Sequence, residues 1–338
     1  MRLMSTNAAL LRRPFAIRRI HSLFGLWIVI FLIEHLLTNS QAALLIGENG
    51  GGFVRAVNLI KNLPYLHLIE VLLIGIPIAY HMVWGIVYAC RAKNNAFPTS
   101  RNRPALTGFW RNHAYAWQRI TSWILLVGIM AHVGYMRFYM YPVSVAMGQD
   151  VAYFVRISMD PGLYTVSERL GVKLYDKEAI ETFKGHVGSQ TRESETLAVD
   201  FETLQQSPPP YLYRQNVDRL MRRYQNLEQQ KAYLKGLEKR KILGNEVIAQ
   251  ADNFGTATLL IVRESFKSVF KSILYTIFVL AAVFHAFNGL WTFMITWGVI
   301  LKMRSQSLAV NGCVMLMLIV GFLGLVSIWG TYYLNLRN

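Results

Sequence analysis

The stretch that most constrains this chain is Ile277 to Trp297, IFVLAAVFHAFNGLWTFMITW, an uncharged apolar run with one histidine, His285, near its middle. At 1.5 Å per residue, roughly 20 such residues cross the hydrocarbon core of a bilayer, and a backbone in lipid closes its own hydrogen bonds as a helix. The run therefore predicts a transmembrane helix with His285 inside the membrane. A polar ring there is costly, turns toward protein rather than lipid, and implies a partner.

Four more apolar runs accompany it. A basic leader, Met1 to Arg19 with Arg2, Arg12, Arg13, Arg18 and Arg19, precedes Leu23 to Leu45. That run is too long for the core of a signal peptide and no clear small-residue cleavage site follows it, so it is read as a retained first helix. Leu66 to Cys90 holds His81 and Pro77, a kink that neighbouring helices can satisfy in a membrane. Ile120 to Tyr141 holds His132, and Leu308 to Leu334 has no histidine. Only 16% of the residues are charged and 53% are hydrophobic, with mean hydropathy +0.29, yet the net charge is +16, so the bases sit outside the apolar runs. Cys90 and Cys313 lie far apart in sequence at the ends of runs, which excludes a disulfide framework, a CxxCH haem attachment and a cysteine metal cluster.

The short loops set the orientation. The leader, the second loop (Arg91, Lys93, Arg101, Arg103, Arg111, Arg119) and the fourth loop (Lys302, Arg304) are basic with no acidic residue, while the first loop sets Arg55 and Lys61 against Glu48 and the tail has only Arg337. By the positive-inside rule the N-terminus is expected in the cytoplasm and the C-terminus outside. The third loop then lies outside as well. All acidic residues except Glu34, Glu48 and Glu70 fall between Asp150 and Glu264, nearly balanced by bases, so this stretch reads as a soluble insertion. The expected division is 1–147 (leader and helices 1 to 3), 148–264 (extracytoplasmic insertion) and 265–338 (helices 4 and 5). In the insertion Ser207 to Pro210 is a stiff break. Tyr211 to Lys241 carries apolar residues at helical spacing (Tyr213, Val217, Leu220, Tyr224, Leu227, Leu234), predicting an amphipathic helix or helical hairpin. Its basic face suits a solvated surface better than acidic lipid headgroups.

His35, His81, His132 and His285 fall one on each of the first four helices. A single membrane histidine can merely bond a neighbouring helix, but four, one per helix, weigh against that use. Imidazole is a strong axial ligand of haem iron, and two histidines on facing helices hold a b-type haem without covalent attachment. Gly85 and Gly289, four residues after His81 and His285, and Gly128, four before His132, would let a flat macrocycle approach, though ordinary helix packing accounts for them equally. Depth suggests the pairing. His35, about 16 residues past Arg19, and His132, about 13 past Arg119, lie roughly 20 to 24 Å from the inner boundary, whereas His81, about 10 residues from Arg91, lies roughly 15 Å from it. His285, near the centre of a longer helix, joins His81 by elimination.

The strings RRIHSLFG (18–25), FLIEHLLTN (31–39), IAYHMVWGIVYA with AKNNA (78–96), WQRIT (117–121), FHAFNGLWTFMITWG (284–298) and RSQ (304–306) resemble the dihaem cytochrome b558 subunit of succinate dehydrogenase across all five helices in order. The resemblance implies that His35 with His132 bind a distal, low-potential haem b and His81 with His285 a proximal, high-potential one. It also implies a cytoplasmic flavoprotein and an iron-sulfur subunit as partners, anchored by this chain at a bacterial inner membrane, and menaquinone as acceptor. No succinate site is expected in this chain, and no nucleic-acid partner. Arg18, Arg19, His21, Ser22, Trp117 and Arg119 sit at the inner boundary, where they could hold haem propionates or dock the iron-sulfur subunit; positive-inside charge and an interfacial aromatic are the competing account. Glu34, His67 and Glu70 near the outer boundary are candidates for quinone protonation or for structural hydrogen bonds.

Two departures stand out. Close relatives join helices 3 and 4 by a short connection where this chain inserts about 110 residues. Some fumarate reductases of the family carry a glutamate two residues before the fourth ligand, and Val283 stands there, which favours the succinate-oxidising direction. The rivals are a cytochrome b anchor of another quinone-linked dehydrogenase, disfavoured by FNGLW and AKNNA, and a transporter using intramembrane His and Glu, disfavoured by the lack of internal repeats. The expected fold is an all-α membrane protein of five transmembrane helices, the first four forming a haem-binding bundle, plus an exported, mostly helical insertion.

Overall fold

The computed structural model describes residues 2–43, 50–93, 96–97, 106–204 and 210–337, with side chains from residue 14 onward except over 194–204, 210–214, 216–217, 220 and 337. Leu44, Leu45, Glu48, Asn94, Asn95, Arg101, Arg103 and Ser207 to Pro209 lie outside the described residues, as do the side chains of Arg2, Arg12, Arg13, Tyr213, Val217 and Leu220. In chain order the elements are α1 (Arg2–Ser40), α2 (Gly51–Lys61), α3 (Leu66–Ile69), a π-helical segment (Glu70–Gly75), α4 (Ile76–Arg91), α5 (Trp110–Val133) and a second π segment (Gly134–Tyr139). There follow β1 (Val143–Met147), β2 (Asp150–Ser158), α6 (Pro161–Leu170), β3 (Lys173–Tyr175), α7 (Lys177–Leu204), α8 (Pro210–Glu238), β4 (Glu246–Ala251) and α9 (Phe254–Ser265). The chain closes with α10 (Val269–Thr296), α11 (Met303–Leu325), a third π segment (Val326–Gly330) and α12 (Thr331–Arg337). It divides into two compact units, Met1–Arg137 with Phe266–Leu334, and Phe138–Ser265 with Asn335–Asn338.

Five stretches among the described residues are long and apolar enough to cross a membrane: Pro14–Ser40, Leu66–Arg91, Trp110–Tyr139, Val269–Thr296 and Met303–Leu336. Their apolar side chains largely face outward. Leu68, Val71, Leu72 and Leu73, for example, are about half exposed, an arrangement that water penalises and lipid does not. α1 packs against α4, α10 and α11, and α5 against α10 and α4, so the histidine-bearing helices surround one another while α11 lies against α1 and α10. The helices run further than the apolar runs. α5 starts ten residues before Ile120 because Trp110 to Arg119 is polar yet still helical, and α10 starts at Val269 because the Ser268 side chain caps it, accepting from the Lys271 amide at 3.4 Å. The Pro77 site is the beginning of α4, directly after the first π segment, where a missing amide costs least.

The second unit corrects the all-α expectation. It holds a four-stranded antiparallel sheet in the order β1-β2-β4-β3. β1 and β2 form a hairpin closed between Met147 and Asp150, with Gly148 at φ 69°, a conformation that costs a side chain strain. Alternation then separates two faces. Val143, Ala152, Phe154 and Ile248 face the α7–α8 hairpin and pack with Ile180 and Leu237, while Tyr153 on the other face meets Phe254 of α9. β4, EVIAQA, is covered on both sides and is buried almost throughout. A partly buried ionic clasp ties α9 to the loop after β2, with Arg263 donating to both Asp160 oxygens at 2.8 and 2.9 Å; next to it, Ser158 donates twice to Glu264. The predicted helix over Tyr211 to Lys241 is α8, and α7 is its hairpin partner.

Candidate functional site: two facing histidine pairs

Each of the four intramembrane histidines projects from a different helix toward one other. His35 on α1 faces His132 on α5 with ring centroids 5.9 Å apart and planes at 82°; His81 on α4 faces His285 on α10 at 6.3 Å and 82°. Metal–imidazole nitrogen bonds run about 2 Å and the nitrogen lies about 1 Å from its ring centre, so one metal between two opposed rings sets the centroids about 6 Å apart. Both pairs have that separation. Among the described residues there is no cluster of three or more His, Cys, Asp or Glu able to hold an ion by itself. A facing pair of histidines at each place fits an iron whose other positions a macrocycle fills.

The ring nitrogens are organised to match. In three of the four rings Nδ1 faces an oxygen, which directs attention to Nε2 as the nitrogen for a ligand. His81 Nδ1 donates to the His21 carbonyl at 3.0 Å, an oxygen that can only accept. His285 Nδ1 lies 3.3 Å from Thr121 Oγ1, and His132 Nδ1 lies 3.1 Å from the Tyr275 hydroxyl. His35 Nδ1 is 3.5 Å from the Asn39 amide nitrogen, which donates at 2.7 Å to the His35 carbonyl. This second layer of partners is what fixes tautomer and ring orientation around metal-bound histidines.

The inner-boundary candidates divide. His21 stacks flat on His81, with centroids 4.0 Å apart and planes at 8°, and its Nδ1 is buried without a hydrogen-bond partner. Arg119 holds the Tyr115 carbonyl at 2.6 Å through Nη1 and leaves a buried Nε unpartnered. An anionic propionate at this level would satisfy the Arg119 Nε–H, and the His21 Nδ1 in the tautomer that protonates it. Ser22 accepts from the Trp297 indole at 3.4 Å, and Arg19 lies over the same ring at 4.8 Å. Arg18 is exposed and Trp117 is 48% exposed.

At the other end, Glu34 accepts from Thr38 of its own helix at 2.9 Å. His67 and Glu70 come together at 3.3 Å, and Arg137, which sequence reasoning missed, closes on the same carboxylate at 2.8 Å. Glu70 and Arg137 both stand in π segments, whose wider turns redirect side chains. Other omissions were Thr121, Tyr275, Gln118 and Asn288: Gln118 donates to the His285 carbonyl at 3.0 Å and accepts from Asn288 at 2.6 Å. Thr121 and Gln118 lie in WQRIT and Asn288 in FNGLW, so the strings already contained them. The glycines resolve by place. At Gly128 a Cβ would fall 2.3 Å from the Phe278 ring, so that glycine serves helix packing, whereas at Gly25 it would fall 3.0 Å from His81 Cε1.

Against curated proteins, the chain is 35% identical over 140 residues to the succinate dehydrogenase cytochrome b558 subunit of Bacillus subtilis, a match covering 41% of this chain and 61% of that protein. The chain thus spans less than two thirds of that relative's length. No family model matches, and no solved structure matches. With five apolar spans and this relative, the coarse assignment is plain. The chain is a multi-pass membrane protein.

Proposed function

We propose that the chain is the membrane-anchor and electron-transfer subunit of a succinate:quinone oxidoreductase, and that it holds two b haems without covalent attachment. The observation that carries this is the two pairs of facing histidines at 5.9 and 6.3 Å, with Nδ1 of His81, His132 and His285 each facing an oxygen. His35 with His132 would hold one haem and His81 with His285 the other, with His21 and Arg119 toward the propionates of the second. When bound, haem iron supplies one-electron exchange inside the bilayer. The chain's residues do the rest. The helices set the spacing of the two pairs, the apolar spans exclude water, and the Nδ1 partners of His81, His132 and His285 hold those rings in their binding orientation. Succinate chemistry belongs to a flavoprotein partner and electron delivery to an iron-sulfur partner, both docking on the cytoplasmic side by the charge of the loops. Menaquinone is the acceptor, with Glu34 or the His67–Glu70–Arg137 cluster the places to look for its protons. The relative's name and the order of motif strings along the spans support this reading over a transporter.

The test is ligand deletion. His35→Ala or His132→Ala is expected to leave one haem per chain in the purified protein, counted as the pyridine haemochrome, and His81→Ala or His285→Ala to leave the other. Loss of both from each variant, or of neither, would contradict the pairing.

A further inference from the structure

Two cross-helix contacts form a reciprocal pattern. Thr121 of α5 touches the ring of His285 of α10 at 3.3 Å, and Tyr275 of α10 touches the ring of His132 of α5 at 3.1 Å. From Thr121 to His132 is eleven residues forward along α5, and from His285 to Tyr275 is ten back along α10, as adjacent antiparallel helices require. Each helix supplies one histidine to one pair and one hydroxyl to the ring of the other pair.

The proton positions follow at Thr121. Its single hydroxyl proton goes to carbonyls of its own helix, those of Trp117 at 2.8 Å and Gln118 at 3.2 Å, so only lone pairs face His285. His285 Nδ1 must then carry the proton, and its Nε2 has the free lone pair that a metal needs. At the other pair the groups differ. The Asn39 amide nitrogen beside His35 is a donor and offers Nδ1 no acceptor, so within that pair the Tyr275 oxygen is the group able to accept from a ring N–H.

We infer that Thr121 and Tyr275 are positioning residues that fix the tautomers of His285 and His132 and raise their basicity, each tuning a different haem. This rests on the proposed haem-binding function. An accepted Nδ1 hydrogen bond makes imidazole a stronger donor to iron and favours the ferric state, so removing the acceptor favours the ferrous state.

The experiment is a redox titration of the purified complex followed at the haem α-bands, with low-temperature EPR of the ferric form. Tyr275→Phe is expected to shift the equilibrium of the His35–His132 haem toward the ferrous state about tenfold, ~59 mV upward for a one-electron couple, leaving the other haem unmoved. Thr121→Val should do the same to the His81–His285 haem alone, and Thr121→Ser, which keeps the hydroxyl, should restore the wild-type value. The haem remaining in His35→Ala assigns the two signals. Wild-type protein without haem would overturn the function itself. Two haems whose potentials and EPR signals are unchanged in both variants, or that shift together in either, would overturn this inference and leave the function standing. Should Tyr275→Phe fail to assemble, the Val and Ser variants at Thr121 decide it alone.

Discussion

Gly25 shows how closely the site is built at the scale of single residues. It lies one turn after His21 on α1, and a Cβ there would sit 3.0 Å from Cε1 and 3.4 Å from Nδ1 of His81. The flat stack of His21 on His81 occupies the adjoining space. A larger side chain must therefore displace the His81 ring rather than find room beside it. Gly25→Leu is expected to lower the haem count by the one member proposed for His81, with helix content by circular dichroism unchanged; a full complement of two haems in this variant would refute the account of Gly25. The histidines themselves were legible because a titratable ring in an apolar run has no cheap explanation. Their partners were not. Thr121 is unremarkable in a membrane helix, where its hydroxyl satisfies its own i−4 carbonyl, Tyr275 reads as one more aromatic residue of an apolar run, and only the register of α5 against α10 brings either to a histidine.

At the scale of elements, hydropathy located the spans because lipid contact demands it along the whole length of a helix, but it could not place their ends. Polar turns such as Trp110 to Arg119 continue a helix without looking apolar, and the π segments at Glu70–Gly75, Gly134–Tyr139 and Val326–Gly330 leave no compositional mark. The sheet went unread for another reason. β4 is covered on both faces and shows no alternation, and β3 is only three residues long, while the adjoining helices α7 and α8 dominate the charge pattern. The helix-to-sheet contact is tight at Gly236, where a Cβ would lie 2.7 Å from both Phe154 and Val145, and Phe154 is 1% exposed with nowhere to move. Gly236→Leu is expected to destabilise the sheet unit by about 1–3 kcal/mol. Proteolytic nicking between residues 138 and 265 in the detergent-solubilised protein should rise by about tenfold for each 1.4 kcal/mol. Unchanged nicking would mean that α8 is free to shift off the sheet.

For the whole molecule, the net charge of +16 and the five apolar spans are reconciled by keeping the bases in loops and ends, and the acidic residues almost entirely in the inserted stretch. The insertion is a folded unit of helices and an antiparallel sheet with its own core, and the membrane unit carries all four intramembrane histidines. The central claim is that two histidine pairs hold two b haems, and it is tested most directly by a dithionite-reduced minus oxidised spectrum of the purified wild-type complex with a pyridine haemochrome count. The account predicts about two b haems per chain, reducible by succinate when the partner subunits are present. A protein that folds, inserts into the membrane and contains no haem would contradict it and leave the four histidines to a proton or ion path.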